Sequence, residues 1–132
     1  VNKYVDERKD FNKSAFAASE LLRIICIPQA YRILCNVGDI EPQGDELWFK
    51  LLVLHIYHAG ARNVESLLSQ LDQPLQGMEL IKWMWRNEYG NFKNASQNYS
   101  QIAIAAMLTL KDIVLSDCEY IFDCNGFNPI EN

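Results

Sequence analysis

The segment from Leu47 to Tyr57 constrains the fold of this chain more than any other. A helix that is apolar on all sides is stable in water only when other helices surround it. Strand-like alternation is not sustained anywhere in the 132 residues, so we predict an all-α domain built around a buried central helix at about residues 46–58. The apolar residues of this segment are Trp48, Phe49, Leu51, Leu52, Val53, Leu54 and Ile56.

Periodic apolar residues and helix breakers predict further helices around this central one. A loop at residues 36–45 is rich in Gly, Pro and Asp. It presents Asp45 as the N-cap of the central helix, and Gly60 ends that helix in a left-handed C-cap. The other predicted helices run from about Ser14 to Cys26, where Pro28 ends the helix, from an Asn63 cap to Leu71, from Met78 to Asn87, and from about Ser96 to Leu115.

The last predicted helix sets the predicted domain boundary. A chain of 132 residues suits one domain, which we expect to cover residues 1–115, followed by a polar tail at residues 116–132. The inner stripe of this helix is predicted to consist of Ile102, Ala105, Ala106, Leu108, Thr109 and Ile113.

The charge balance argues against a nucleic-acid partner. The chain has 12 Lys and Arg against 17 Asp and Glu, a net charge of −5, and no cluster of basic residues. Lys and Arg supply most of the affinity for a phosphate backbone, so we predict no nucleic-acid binding. The longest apolar run is also too short to cross a bilayer.

Cysteine and histidine spacing gives no metal site. Cys26 and Cys35 form one sequence-local pair and Cys118 and Cys124 another, without the C-x-x-C spacing of a zinc ribbon. Disulfides in an oxidising compartment and free thiols in a reducing one both remain open. His55 and His58 would share one face of the central helix, but no third ligand follows at a suitable spacing, so we predict no metal.

The three tryptophans have two possible roles. Trp48, Trp83 and Trp85 could stack on sugar rings, or they could be buried, which is the commoner outcome in a helical domain.

Three segments carry a more specific signal. Residues 4–10 (YVDERKD), followed by Lys13-Ser14 and Ala17-Ala18, match a V-D-E-R-R-D, K-S-T, A-A stretch. Residues 44–47 (GDEL), which lead into residues 55–64 (HIYHAGARNV), match G-D-W-x-L and then A-Y-N-A-G-P-G-x-V, and residues 96–99 (SQNY) match E-T-x-x-Y-V. In this order, over about residues 4–110, the chain resembles bacterial lytic transglycosylases of the lysozyme-like superfamily, and most closely the membrane-bound, soluble-transglycosylase-type branch.

The resemblance implies a lysozyme-like helical domain that acts on a peptidoglycan strand in the bacterial periplasm or cell envelope, without a cofactor. Lytic transglycosylases cleave the β-1,4 bond between N-acetylmuramic acid and N-acetylglucosamine without water. One glutamic acid, whose pKa is raised by desolvation, protonates the leaving oxygen. The same group then acts as base while the 6-hydroxyl of the sugar closes a 1,6-anhydro ring.

The resemblance also implies substrate-binding residues. Tyr57, Ala59 and Gly60 match the A-Y-N-A-G motif, and Tyr99 matches the tyrosine of the last segment. Gly60 would let the backbone approach the glycan closely. His58 stands where the family has Asn, so the contact to the acetamido group of the sugar differs from that of the family.

The catalytic glutamate of the family lies in an E-S-x-F-x-P helix end, a few dozen residues before the V-D-E-R segment. No Glu of this chain has that context; Glu46 is nearest in character, but its place in the first turn of a helix is explained by the helix dipole. The catalytic residue is therefore unknown, and we expect these residues alone to be inactive, with the catalytic helix in a longer parent.

Other interpretations remain open. The chain could be a non-catalytic helical module that binds glycan or protein, or an unrelated all-α scaffold domain with coincidental motif matches. A missing lobe would leave the apolar faces of the Trp48 helix and the Ile102 helix uncovered. We therefore expect a partner chain or a separate N-terminal piece to cover them.

Overall fold

The computed structural model describes residues 10–38, 40–42 and 46–118, with side chains as far as Lys111. These residues are mostly helical, and their only β-type pairing is an isolated bridge between Tyr89 and Phe92. The all-α prediction is therefore confirmed. The helices are α1 (Phe11–Leu21), a π-helical turn (Leu22–Cys26), α2 (Ile27–Gly38), α3 (Leu47–Ala59), α4 (Ala61–Leu68), α5 (Met78–Arg86) and α6 (Ala95–Cys118).

The chain divides into two compact units, Val1–Ser100 and Gln101–Asn132, and α6 contributes residues to both. Asp45 and residues 119–132, which form most of the predicted polar tail, lie outside the described residues.

Helix α3 is the centre of the first unit, as its apolar sequence predicted. Trp48 is only 6% exposed, so the expectation that the Trp48 helix has an uncovered face was wrong. Helices α2, α4 and α5 and the segment before α6 supply the apolar side chains that bury it. The buried side chains of these neighbours are Ala30, Ile33, Leu34, Val64, Leu67, Leu68, Leu80, Ile81, Met84 and Phe92.

The first helix does not end at Pro28. Helical structure continues from α1 through the π turn into α2, where Pro28 is the second residue. In the π turn the backbone N–H of Ile27 bonds to the carbonyl of Leu22, five residues back. Proline lacks an N–H and its ring clashes with the carbonyl four residues earlier in a regular α-helix. The widened turn directly before Pro28 relieves that conflict, so the helical path survives the proline.

Other helix boundaries differ by a turn or less from the prediction. Gly60 ends α3 with φ +87°, but its ψ of 144° is extended and not left-handed helical. Helix α4 begins directly after Gly60 and not at an Asn63 cap; instead, the Asn63 side chain donates to the carbonyl of Ala59 at 2.7 Å. Helix α4 also ends at Leu68 and α5 at Arg86, slightly earlier than predicted.

The predicted inner stripe of the last helix is not buried. Ile102 is 60% exposed, and Ala105, Ala106, Leu108 and Thr109 are exposed as well. The side chain of Ile113 lies outside the described residues. Apolar periodicity identified the helix, but it cannot tell whether a neighbouring element covers the apolar side. In the part of the chain that the structure describes, no helix is long and apolar enough to cross a membrane.

Cys26 and Cys35 are both free thiols, the first buried and the second exposed. Of the two possibilities that the sequence left open, Cys26 and Cys35 therefore have the free-thiol state and not the disulfide. Burial raises the pKa of the Cys26 thiol, which favours the unreactive protonated form. The side chain of Cys118 and all of Cys124 lie outside the described residues.

Candidate functional site

The end of α3 meets the first turns of α6 through two aromatic rings. The imidazole of His58 stacks on the phenol ring of Tyr99, with centroids 4.2 Å apart and planes within 6° of parallel. His58 is exposed and Tyr99 is half-buried. Two of the sequence-predicted binding residues, which lie far apart along the chain, are thus brought into direct contact at the surface.

The other predicted binding residues lie next to His58 in the sequence, at the end of α3. Tyr57 is 39% exposed. Ala59 has a structural role, because its carbonyl accepts the Asn63 side-chain hydrogen bond. A side chain built onto Gly60 would meet nothing within 4 Å, so the space beside its backbone is open. We call Tyr57, His58, Gly60 and Tyr99 the aromatic surface.

The two histidines of α3 do not share a face. His55 is completely buried, whereas His58 is exposed, so the expectation that both imidazoles point the same way was wrong. The prediction of no metal site rested on the missing third ligand. The described residues contain no group of three or more His, Cys, Asp or Glu that could hold a metal ion.

His55 makes hydrogen bonds through both ring nitrogens to α6. Its Nδ1 lies 3.1 Å from the carbonyl of Ser96, and its Nε2 lies 2.7 Å from the hydroxyl of Ser100. The indole Nε1–H of Trp85, in α5, donates to the same Ser100 hydroxyl at 2.7 Å. We call His55, Trp85 and Ser100 the buried network; sequence patterns gave no sign of it, because three residues on three helices form no local motif.

The hydrogen bonds fix the tautomer of the neutral His55 ring. A carbonyl only accepts, so Nδ1 must carry the proton that is donated to Ser96. Nε2 then accepts from the Ser100 hydroxyl, whose oxygen accepts from Trp85. The pKa of His55 is lowered to about 4, mainly because the charged ring would lose its hydration on burial; the Ser96 carbonyl partly offsets this effect, and the nearby His58 adds to it. His55 is therefore neutral near pH 7.

The connection between α5 and α6 closes over His55. Phe92 is fully buried, and its ring centroid lies 5.4 Å from that of His55. Phe92 and Tyr89 exchange backbone hydrogen bonds of 3.0 and 3.1 Å around a tight turn. The side chain of Gln97 donates to the carbonyl of Asn87 at 3.2 Å, which ties the start of α6 to the end of α5.

Two of the three tryptophans, Trp48 and Trp85, have hydrogen-bond partners for their indole N–H groups within the described residues. Trp48 is buried, and its indole donates to the Glu46 carboxylate at 2.6 Å. Trp83 and Trp85 are half-buried. Burial is therefore the role of Trp48, and the Glu46 carboxylate binds an indole at the start of α3.

The aromatic surface lies outside two grooves of the first unit. A groove of about 440 Å³ lies elsewhere, along α2 and α4, and a smaller one of about 270 Å³ lies beside it. Neither groove is lined by a residue of the aromatic surface. The larger groove is lined by Asn36, Val37, Glu65, Leu68, Ser69, Leu71, Asp72, Gln73 and Pro74.

Comparison of the chain with protein-family models, curated proteins and solved structures finds no match.

Proposed function

We propose that this chain is a lysozyme-like domain of lytic-transglycosylase type that binds peptidoglycan glycan strands in the bacterial periplasm or cell envelope. The stacking of His58 on Tyr99 is the observation that carries the proposal. Both residues belong to the segments that resemble the family, and they come from separate helices. A flat, partly exposed aromatic pair offers an apolar face to a sugar ring and polar edges to its substituents.

The departure at His58 fits the same function. The family has an amide side chain at this position, where it contacts the acetamido group of the sugar. An imidazole can also donate and accept hydrogen bonds at its edge. His58 is exposed, so its edge is available to a ligand while one face rests on Tyr99. We infer that His58 takes over the acetamido contact.

We propose binding without cleavage for these residues alone. A general acid must be held protonated by apolar surroundings. Four glutamates of the described residues instead bind polar or charged groups: Glu20 binds Arg23, Glu46 binds the indole N–H of Trp48, Glu65 binds Arg32 and Glu79 binds Lys82. In the intact parent, the domain would take part in cleavage of the bond between N-acetylmuramic acid and N-acetylglucosamine, with a 1,6-anhydro product.

Glycan titration calorimetry tests the proposal with a matched pair of variants. Tyr99 and Tyr31 each pack against another aromatic ring, Tyr31 against Phe49 with centroids 4.7 Å apart. We expect Tyr99→Ala to raise the Kd for peptidoglycan oligosaccharides roughly 2- to 13-fold, since aromatic contacts contribute roughly 0.5–1.5 kcal/mol. Tyr31→Ala should leave the Kd unchanged. Equal binding by both variants would contradict a sugar site at Tyr99.

Zymography on peptidoglycan tests the second part of the proposal. We expect no clearing and no anhydro-muropeptides from the 132-residue chain. Clearing that survives Tyr99→Ala would contradict both parts of the proposal, because the activity would then arise elsewhere.

A second candidate is a protein-binding module. Phe11, Phe16 and Ile24, in α1 and the π turn, are exposed by 83%, 69% and 56%. Exposed apolar side chains in such number are typical of a surface that contacts another protein. The calorimetry separates the candidates, because a protein-binding module would show no glycan binding in the unmodified chain.

A further inference from the structure

We propose that the buried network of His55, Trp85 and Ser100 is a positioning device for the aromatic surface. The network holds the first turns of α6 against α3, and so sets the relation of Tyr99 to His58 on which glycan affinity depends. This inference rests on the proposed function, since it assigns residues that act on the proposed site without touching the ligand.

The network lies within about one helical turn of the aromatic pair along both helices. On α3, His55 precedes His58 by three residues, which is slightly less than one helical turn. On α6, the two groups that His55 binds, the Ser96 carbonyl and the Ser100 hydroxyl, come from residues on either side of Tyr99. Hydrogen bonds to residues before and after Tyr99 in the sequence therefore fix its position relative to α3.

The stacking contact alone is too weak to hold Tyr99 in a fixed position against His58. The free energy that an aromatic pair contributes is close to the cost of ordering its two side chains. The network instead consists of buried hydrogen bonds, and both His55 and Ser100 are completely buried. Buried polar groups hold one geometry because any other geometry leaves donors or acceptors without partners.

Each member of the network depends on the others. The Ser100 hydroxyl both accepts from Trp85 and donates to His55. Removal of this hydroxyl would leave both the indole N–H of Trp85 and the Nε2 lone pair of His55 without a hydrogen-bond partner. The described residues contain no buried side-chain nitrogen or oxygen without a hydrogen-bond partner, so the native arrangement satisfies every member.

Trp85 and Trp83 provide a matched test. They are both half-buried on α5 and two residues apart, but only Trp85 donates to Ser100. Trp85→Phe removes this donor and keeps an aromatic ring, as does Trp83→Phe outside the network. Ser100→Ala removes the shared hydroxyl. Two readouts apply to each variant: the Kd for peptidoglycan oligosaccharides, and the chemical shifts of the His58 ring protons, which sense the ring current of Tyr99.

We expect Ser100→Ala and Trp85→Phe to shift the His58 ring protons towards the values of a free histidine and to raise the Kd at least threefold. Trp83→Phe should change neither. If Trp85→Phe lowers the melting temperature but leaves the His58 shifts and the Kd of the folded protein unchanged, the network only stabilises the fold and the inference is wrong. Should Ser100→Ala not fold, Trp85→Phe decides, because it leaves the Ser100 hydroxyl in place and removes only the indole donor that orients this hydroxyl towards His55.

Failure of the proposed function gives a different pattern. No glycan binding by the unmodified chain would overturn the proposed function and the claim that the network controls glycan affinity. The His58 shifts would still decide whether the network sets the stack. Binding that is lost in Tyr99→Ala but retained in Trp85→Phe, with unchanged His58 shifts, would leave the proposed function standing and overturn the inference alone.

Discussion

His55 stays neutral in the folded protein because water cannot reach it. Its pKa falls to about 4 from the ordinary value of 6.5, mainly through burial. In the unfolded chain the ring takes up a proton as the pH falls below 6.5, whereas in the folded protein it does not until about pH 4. The unfolded state thus binds more protons in this interval, so stability is full above pH 6.5 and declines as the pH falls towards 4.

The pH dependence of unfolding tests this buried histidine. We expect the free energy of unfolding to fall by about 3 kcal/mol between pH 6.5 and pH 4 through His55 alone, at 1.36 kcal/mol per unit of pKa. His55→Gln cannot titrate, so its stability should depend less steeply on pH in this interval. Urea unfolding of both proteins at several pH values measures the difference. Identical slopes would show that His55 is not the group responsible.

Gly60 occupies a backbone conformation that other residues avoid. Its φ of +87° and ψ of 144° lie where a Cβ is strained, although no neighbouring atom would clash with one. We expect Gly60→Ala to destabilise the protein by about 1–3 kcal/mol through backbone strain. Thermal unfolding measures the loss. Ala61→Gly, at the next position in α4, is the control for an ordinary helical residue, and a smaller loss in Gly60→Ala than in this control would contradict the argument.

Residue patterns predicted part of the candidate site. His58, Tyr99 and Gly60 were found because each stands at a recognisable motif position, and the structure brings the first two into contact. His55 was grouped with His58 by spacing, and this was wrong because three residues in a helix place side chains about 60° apart around the axis. At the edge of a buried face, that angle separates a fully buried side chain from an exposed one.

At the scale of single elements, the π turn before Pro28 keeps the helix continuous. The π turn from Leu22 to Cys26 widens the helix directly before the proline. We expect Pro28→Ala to change the free energy of unfolding by less than about 1 kcal/mol, because the turn already accommodates the missing N–H. Cys35→Pro, in the regular part of α2 without such a turn, should cost about 3 kcal/mol or more. Urea unfolding compares the two, and similar losses would contradict this role of the π turn.

A surface ion pair joins α2 to α4. Arg32 binds both carboxylate oxygens of Glu65, at 2.8 and 3.0 Å, and Asn36 adds a third hydrogen bond. The Arg32 hydrogen bonds lower the pKa of Glu65 more than burial raises it. Both side chains remain partly exposed, so salt and water screen the pair.

Removal of this ion pair should have a small, salt-sensitive effect. We expect Glu65→Gln to lower the urea midpoint slightly at low ionic strength. At about 1 M NaCl its midpoint should match that of the unmodified protein, because the Debye length is then only about 3 Å. Glu79→Gln, which removes a single-bond pair with Lys82 within α5, is the control and should have a smaller effect. A loss from Glu65→Gln that persists at high salt would mean that the pair is not screened as its exposure indicates.

At the scale of the whole molecule, burial is distributed unevenly among the helices. Most side chains of α3 are buried, whereas α1 has no buried residue. Local opening is easiest where few apolar contacts are broken. We therefore expect amide hydrogen exchange to be slowest in α3 and fastest, among the helices, in α1. Exchange followed by mass spectrometry gives the order, and protection of α1 equal to that of α3 would indicate that another element covers it.

The sequence by itself determined the fold class and the central helix. The run from Leu47 to Tyr57 leaves no polar side, so burial by other helices is the only stable solution in water. Residue types also identified His58 and Tyr99 as candidates. Only the tertiary structure decided that these two rings stack, that His55 is enclosed by Ser96, Ser100 and Phe92, and that Ile102 is exposed. Each of these depends on which helices become neighbours, and periodicity along one helix carries no information about its partner.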